Sequence, residues 1–327
     1  MARPVSPRVE SLRRELRQRL SAGAAPGDRF FSNRELARHA RVSYQTASRL
    51  LDELVHAGWL RRLHGSGTYV AGDTSRARIA YLVFHPRGLR PESFGARLHA
   101  ALRAALDDAR IPHRELWAIR PPPLPDDAYP VFWETYPARG SPLPKGRFAL
   151  VLNDRPPPGL GARFIDSVQV DDFSGGCAAA ELLRGRIGLR GAIILAGPRG
   201  DPRSDARVAG YRTIFPAAPV FHARSWYREG AEVAARRILV RKPLGVLCAN
   251  DRLAEAVARA ALQAGPDRPH LIGFDDAPVA TELHLTTIAI PWDELVASAT
   301  RIIAARLRAD SHPAKQLILQ PHAVTRS

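Results

Sequence analysis

Cysteine is almost absent from this sequence of 327 residues, which contains only Cys177 and Cys248. The two are far apart and have no second ligand at metal-like spacing, so we expect neither a disulfide framework nor a zinc site. Lysine is also scarce, occurring only at positions 145, 242 and 315. Coding bias explains the preference for arginine as readily as an acidic partner does, and both explanations stay open.

Long apolar runs are missing as well. The first 21 residues are interrupted by arginine and lack the apolar core of a signal peptide. No later run approaches the length that crosses a membrane. We therefore expect a cytoplasmic protein with no membrane partner.

The chain is too long for one ordinary core and fits a small domain joined to one or two larger α/β lobes. Residues 1–76 carry 14 arginines and 7 acidic residues, which is +7 of the total net charge of +16. Positive charge is therefore densest at the N-terminal end. Such density suits the phosphate backbone of DNA, where each neutralised phosphate releases counterions.

The first seventy residues contain the signals of three short helices. Val9, Leu12, Leu16 and Leu20 recur at helical spacing, and Gly23 can end that helix. Ser32 and Glu35 have the spacing of a capping box and predict a second helix, which a turn at Arg41-Val42 follows. Ser43 can cap a third helix ending at Gly58, whose inward positions are Ala47, Leu50, Leu51 and Leu54.

The third helix is followed by two short strands, one at Trp59-Leu60 and one at Thr68-Tyr69-Val70. Gly65 and Gly67 lie at the tip between them, where glycine permits close approach to a phosphate or to the minor groove. Three helices and this β-wing predict a winged helix-turn-helix over residues 1–72. Its third helix has the size and the polar side chains to enter the major groove of DNA.

This segment resembles the GntR family of winged-helix regulators. The matching motifs are Pro26-Gly27-Asp28, Arg34-Glu35-Leu36-Ala37, Val42-Ser43, Thr46, Gly58-Trp59-Leu60 and Gly65-Ser66-Gly67-Thr68-Tyr69-Val70. The resemblance implies that Arg34 and the start of the third helix contact DNA, together with the Gly67 tip. The chain departs from the family at Tyr44 and Ser48, where the family often has arginine, and residues 42–49 instead look like the reading helix of LacI-type repressors.

We expect double-stranded operator DNA to be bound by Ser32, Arg34, Ser43, Tyr44, Gln45, Thr46, Arg49 and Gly67. Arg49 is the best candidate for a base contact, because a bidentate arginine to guanine is the commonest specific one. Ser43 and Thr46 suit phosphate. For Arg34, Tyr44 and Gln45 the alternatives are a solvated helix charge, a packing residue and a surface helix former.

A short polar linker at 73–77 precedes a second domain over residues 78–327. There, apolar strands alternate with amphipathic helices, a pattern that predicts parallel α/β sheets. Expected strands lie at 79–84, 148–152, 192–196, 245–249 and 270–274, and expected helices lie at 93–108, 175–184, 229–240, 252–264 and 292–307. Ligands of such folds bind beyond the carboxyl ends of the strands.

The second domain looks like the ligand-sensing domain of the LacI/GalR family, which is similar to periplasmic sugar-binding proteins. The motifs are Val170-Asp171-Asp172-Phe173-Ser174-Gly175-Gly176, Ala196-Gly197-Pro198, Arg207-Val208-Ala209-Gly210-Tyr211, Ala249-Asn250-Asp251-Arg252-Leu253-Ala254, Gly273-Phe274-Asp275-Asp276 and Leu285-Thr286-Thr287-Ile288. The expected fold class is therefore α/β, with an N-terminal winged helix-turn-helix and a two-lobed periplasmic-binding-protein-like sensor domain.

The resemblance implies that Arg207, Asn250 and Asp275 hydrogen-bond a small-molecule effector, that Trp226 stacks on it, and that Asp172 is a weaker candidate. Arginine and aspartate offer opposed donors and acceptors to sugar hydroxyls, and an indole face covers a sugar ring. The alternatives are a turn residue at Asp275, a helix cap at Asn250 and a core aromatic at Trp226.

Prolines are concentrated between Ile111 and Gly146, where the sensor family has a regular helix and strand. We expect irregular backbone there, because proline cannot donate a ladder hydrogen bond. For the same reason we name no effector contact from this segment.

These features predict a homodimeric transcription regulator, expected to be a repressor, in which closure of two sensor lobes around a carbohydrate changes the spacing of two DNA-binding heads. No cofactor, metal site or catalytic residue is expected, because zinc-protease, phosphate-loop and nucleophile-elbow motifs are missing. The alternatives are a constitutive DNA-binding regulator with a degenerate sensor and, less favoured, a DNA-binding head fused to an enzyme.

Overall fold

The computed structural model divides the chain into two compact units. The first comprises Met1–Val168 and Val296–Leu317, and the second comprises Gln169–Leu295 and Ile318–Ser327. The structure describes residues 7–22, 27–56, 59–63, 66–71, 77–125, 127–135, 148–154, 165–265, 268–308 and 313–326. The chain therefore passes between the units three times, after residues 168, 295 and 317.

The N-terminal part of the first unit, the head, has three helices and an antiparallel strand pair. These are α1 (Pro7–Ala22), α2 (Asn33–Ala40), α3 (Tyr44–His56), β1 (Leu60–Leu63) and β2 (Gly67–Val70). Their apolar positions fill one core, in which Leu36, Leu50 and Leu51 are buried. The predicted winged helix-turn-helix is therefore confirmed. Gly23, Gly58, Gly65 and linker residues 73–76 lie outside the described residues.

Local side-chain chemistry sets the ends of the helices in the head. The Ser32 hydroxyl accepts from the Glu35 N–H, and the Glu35 carboxylate accepts from the Ser32 N–H, which completes the predicted capping box. Arg41 ends α2 in the left-handed conformation, with φ of 51°. Ser43 accepts from the Thr46 N–H and caps α3 as predicted.

The rest of the chain alternates between strands and helices. In chain order these are β3 (Ile79–Phe84), α4 (Phe94–Asp108), β4 (His113–Trp117), β5 (Ala128–Trp133), β6 (Ala149–Leu152), β7 (Ile165–Val170), α5 (Asp172–Ile187), β8 (Ala192–Ala196), α6 (Pro202–Arg212), β9 (Val220–His222), α7 (Arg228–Leu239), β10 (Gly245–Cys248), α8 (Asp251–Ala264), β11 (His270–Asp275), α9 (Pro278–Glu282), β12 (Thr286–Ala289), α10 (Trp292–Leu307), β13 (Gln316–Leu319) and β14 (His322–Val324), with a 3-10 turn at Pro86–Leu89. No helix in this described part is both long and apolar enough to cross a membrane.

The first unit contains a six-stranded sheet in the order β13-β7-β6-β5-β3-β4. Two of these strands, β4 and β5, fall in the proline-rich segment, so the expectation of irregular backbone there is wrong for these strands, whereas residues 118–125 between them form neither helix nor strand. Pro130 lies within β5, but the ladder between β5 and β6 begins only at Val131. A proline is tolerated at this position because its missing N–H precedes that ladder.

The second unit contains the other six-stranded sheet, in the order β14-β12-β11-β10-β8-β9. The strands from β9 to β12 pair in parallel, and only β14 runs antiparallel to its neighbour. Every residue of β8 and β10 is buried, as expected for a sheet covered on both faces. Because β8, β10 and β11 are parallel, their carboxyl ends lie at the same edge of the sheet.

Two glycines allow α5 and α6 to pack with their backbones in contact. A Cβ atom on Gly210 would lie 2.3 Å from the Phe173 carbonyl oxygen, and one on Gly176 would lie 2.4 Å from the Arg207 carbonyl oxygen. A side chain at either position would therefore collide with the backbone of the other helix. Their close approach places Arg207 of α6 beside Asp172 at the start of α5.

We predict that Gly210→Ala destabilises the second unit by about 1–3 kcal/mol, because the added methyl group forces two helix backbones apart. Urea unfolding of the full chain measures this loss. Gly185→Ala is the matched control, since Gly185 lies on α5 and a Cβ there meets nothing within 4 Å. The control is expected to gain up to about 1 kcal/mol from higher helix propensity. Equal losses in both variants would contradict the packing argument.

Candidate DNA interface and effector site

The N-terminal half of α3 presents polar side chains to solvent. Tyr44 is 55 % exposed, the Arg49 side chain is 57 % exposed, and Gln45 is also exposed. Together with Ser48 they line one shallow groove along the helix. This face has the donors and acceptors that base edges require, as the sequence predicts.

The C-terminal half of α3 is acidic, but its carboxylates are paired. Asp52 lies 2.8 Å from an Arg62 amino nitrogen, and Glu53 lies 2.9 Å from Arg13 Nε. Pairing within the head reduces the repulsion that these carboxylates would exert on phosphate. The N-terminal half of α3 is therefore the better candidate for insertion into a groove.

The other predicted DNA contacts have mixed positions. Arg34 on α2 is exposed. Ser43 is exposed, and its hydroxyl pairs with Thr46 Oγ1 at 2.8 Å. Ser32 is half-buried and occupied as the cap of α2, which favours a structural role over a DNA contact. Gly67 is half-buried at the start of β2 with φ of 130°, a conformation that favours glycine.

Sequence reasoning missed Asn33, which connects three elements of the head. Its side-chain amide nitrogen lies 3.2 Å from the hydroxyls of Tyr44 and Ser48, and its carbonyl oxygen accepts from Arg62 at 3.0 Å. Asn33 thereby positions Tyr44 relative to the wing strand β1. Only its place inside the Ser32-Glu35 capping box marked the residue in the sequence.

In the second unit, the predicted effector residues converge on Arg207. The Arg207 guanidinium donates to Asp172 at 2.7 Å, to Asp275 at 3.0 Å and to the carbonyl of Ala249 at 2.5 Å. Its central carbon lies 3.7 Å from the centroid of the Phe274 ring. Burial alone would lower the pKa of Arg207, but Asp172 and Asp275 outweigh burial and raise the pKa above its usual value. Arg207 therefore stays charged and holds both carboxylates at one edge of the sheet.

Trp226 and Asn250 lie beside this group. The Asn250 amide donates to the Trp226 carbonyl at 3.0 Å, and its oxygen accepts from the Leu253 N–H at 2.9 Å, so Asn250 is also the N-cap of α8. The Trp226 indole donates to Asp201 at 2.9 Å, and its ring centroid lies 5.6 Å from the Arg207 guanidinium carbon. The structure thus brings all five predicted effector residues together.

Asp251 is the first residue of α8, which follows β10 at this edge of the sheet. Its carboxylate accepts from Thr287 Oγ1 at 2.6 Å and from the Ala277 N–H at 2.7 Å. Burial, followed by the negative charge of Asp275, raises the pKa of Asp251 to about 7. Asp251 was quoted in the sequence only as part of a motif, and its role is to fix the loop that follows Asp275.

Two tryptophans from the proline-rich segment are the last residues of strands in the first unit. Trp117 ends β4 and Trp133 ends β5, and both rings pack against Phe84. Trp133 is buried, and no described residue accepts a hydrogen bond from its indole N–H. No functional residue of this segment could be predicted, because its prolines obscure both strands in the sequence.

Two family models match segments of the chain. A model described as bacterial regulatory proteins, gntR family, matches residues 8–70, and one described as a periplasmic binding protein-like domain matches residues 183–327. The chain carries a GntR-family head and a periplasmic binding protein-like domain. The GntR match ends at the last residue of β2, and the second match includes Arg207, Trp226, Asn250 and Asp275.

Curated relatives of the two-part chain are regulators. The arabinose metabolism transcriptional repressor of Geobacillus stearothermophilus is 25 % identical, with 98 % of this chain and 97 % of the relative covered. The HTH-type transcriptional regulator MalR of Streptomyces coelicolor is 32 % identical over 103 residues, which are 30 % of each chain. The chain therefore spans less than a third of that relative.

Solved structures share the fold. A transcriptional regulator CelR in complex with cellobiose superposes with a TM-score of 0.62 at 19 % identity, covering 88 % of this chain and 91 % of the other. A LacI family regulator from Enterococcus faecalis V583 with bound ribose gives a TM-score of 0.61 at 20 % identity, covering 76 % and 97 %. The predicted α/β class with a winged helix-turn-helix and a periplasmic-binding-protein-like domain is confirmed.

We predict different effects for two arginines of the GntR-family head. Arg49→Ala relaxes base preference at one operator position by about 1–3 kcal/mol, whereas Arg34→Ala weakens binding to all sequences alike. Titrating a selected operator and its single-base variants measures both effects. Arg184→Ala, an exposed arginine on α5, is the control and leaves binding unchanged. Uniform losses for both head variants would refute the assignment.

The raised pKa of Asp251 predicts how stability depends on pH. The folded protein holds a proton on this carboxyl up to about pH 7, whereas the unfolded chain loses it near pH 4. Folding therefore binds a proton in this window, and the contribution of Asp251 falls by about 1.4 kcal/mol per pH unit as pH rises. Urea unfolding between pH 4 and pH 8 should show that Asp251→Asn lacks this decline. Parallel stability curves for the two proteins would be inconsistent with a raised pKa.

Proposed function

We propose that this protein is a sugar-responsive, DNA-binding transcriptional repressor. The observation that carries the proposal is the convergence of Asp172, Arg207, Trp226, Asn250 and Asp275 at one sheet edge, in a chain that begins with a GntR-family head. The named role of the Geobacillus relative, an arabinose metabolism repressor aligned over 98 % of this chain, supports it. So do the sugars bound in proteins of the same fold.

The geometry suggests different roles for the two carboxylates, for Arg207 and for the pair Asn250 and Trp226. Asp172 and Asp275 are proposed to accept hydrogen bonds from sugar hydroxyls, because carboxylates are acceptors with several lone pairs each. Arg207 is proposed to hold them in place, since its donors already reach both carboxylates and the Ala249 carbonyl. Asn250 positions Trp226 through the Trp226 carbonyl, and the indole ring covers the apolar face of the sugar.

A regulator of this kind acts where its operator is, so we place it in the cytoplasm. We further propose that it works as a homodimer, the state in which two recognition helices read two half-sites of an operator. Light scattering of the purified chain tests the dimer. Its activity is binding alone, without catalysis.

The function is tested by calorimetry of the full chain with arabinose, ribose, sucrose and cellobiose. We expect saturable binding of at least one sugar without its consumption. Asp275→Asn should weaken that sugar at least tenfold, which is about 1.4 kcal/mol, because the loss of a carboxylate oxygen removes an acceptor. Asp205→Asn is the matched control, since Asp205 is an exposed aspartate on α6. It should bind as the unsubstituted protein does.

The other outcomes separate the alternatives. Operator binding without any sugar binding would favour a constitutive regulator with a degenerate sensor. Conversion of a sugar into product would favour a DNA-binding head fused to an enzyme. Sugar binding that Asp275→Asn leaves intact would show that the effector lies elsewhere.

A further inference from the structure

A buried arginine on the wing touches the sheet of the first unit. Arg61, on β1, is only 5 % exposed, although the next residue, Arg62, is exposed and pairs within the head. The Arg61 guanidinium carbon lies 4.0 Å from the centroid of the Phe148 ring. Phe148 is buried and directly precedes β6. Burying a charged side chain costs free energy unless other contacts compensate, so the burial of Arg61 indicates a specific contact.

The Phe148 ring also contacts a second arginine. Arg306, near the end of α10, has its guanidinium carbon 3.6 Å from the same centroid. Arg306 donates from Nε and Nη2 to the two oxygens of Asp166, each at 2.8 Å. Both members of this bidentate pair are buried. Two guanidinium groups therefore contact one aromatic ring, and that of Arg306 is also paired with Asp166.

Asp166 collects hydrogen bonds from the segments in which the chain passes between the units. Asp166 itself lies on β7, which contains the first passage, and Arg306 lies on α10, which contains the second. The Lys315 N–H donates to Asp166 at 2.8 Å, just before β13, which contains the third. The Tyr129 hydroxyl donates to the same carboxylate at 2.9 Å. All three connecting segments are thus tied to one side chain.

We propose that Arg61 is a positioning residue that couples the DNA-binding wing to these three connecting segments through Phe148. Two like charges near Asp166 make the contact sensitive to small displacements, because any movement of the carboxylate changes the balance between attraction and repulsion. Consistent with that balance, burial and then Arg306 lower the pKa of Arg61 to about 10, and Asp166 opposes them. The use of this contact in regulation rests on the proposed function, but the contact itself does not.

Amide hydrogen exchange of the full chain, without sugar or DNA, tests the coupling. Phe148→Leu should speed exchange of the wing amides in residues 59–71 at least tenfold, because the ring that holds Arg61 is gone. Arg61→Lys should act in the same direction, since lysine keeps the charge but lacks the planar group that stacks on a ring. Phe94→Leu is the matched control, because Phe94 stacks on Trp133 in the same unit. It should change wing exchange less than twofold.

The double variant Arg61→Lys/Phe148→Leu distinguishes one shared contact from two independent local effects. If the two side chains act through one contact, its wing exchange equals that of the faster single variant. Multiplying effects would overturn the proposal, as would a wing that Phe148→Leu leaves protected. If Phe148→Leu does not fold, Arg61→Lys alone decides: unchanged wing exchange refutes the contact. Because neither sugar nor operator is present, failure here is distinct from failure of the proposed function.

Discussion

The buried carboxylate of Asp166 connects distant segments of the chain through hydrogen bonds. It neutralises Arg306 and accepts from Tyr129 and from the Lys315 amide, so each of the three passages between the two units is anchored to it. Removing one partner of such a pair leaves an uncompensated buried charge, which typically costs 3–5 kcal/mol. One side chain therefore holds together residues from all three segments that connect the units.

The group around Arg207 also consists of arginine–carboxylate pairs, but in the reverse arrangement. At Asp166 one carboxylate is bound by several donors, whereas at Arg207 one guanidinium holds two carboxylates. Two acceptors fixed side by side, with an indole nearby, suit a ligand rich in hydroxyl groups. For such a ligand to alter DNA binding, it must bind one arrangement of the chain better than another. The segments around Asp166 contain the three covalent connections between the two units.

Much of the architecture was predictable because local signals agreed with the tertiary structure. The capping box at Ser32, the bounds of α10 and the polar residues after β10 and β11 all follow from short-range spacing. The clustering of the predicted effector residues could also be foreseen, because parallel strands bring their carboxyl ends to one edge. Family motifs identified which of the polar residues at that edge would meet.

The remaining features depend on contacts between residues distant in sequence. Proline content argued against β5, but the position of Pro130 before the β6 ladder removes the conflict. The sequence does not distinguish Arg61 from the other arginines of the wing. Its burial depends on stacking with Phe148, which lies 87 residues later in the chain. Arg207 was predicted as a ligand contact from a motif, but the sequence did not show that it would also donate to three protein acceptors distant in the chain.

In a sugar-responsive repressor, effector binding and operator binding are coupled within one chain, and such coupling must be reciprocal. Calorimetry would measure the affinity of the bound sugar with and without saturating operator duplex, and a DNA titration would measure operator affinity with and without that sugar. We expect the two affinities to change by the same factor, because coupling free energy is shared between the sites. A sugar affinity that is identical in the presence and absence of operator would contradict it.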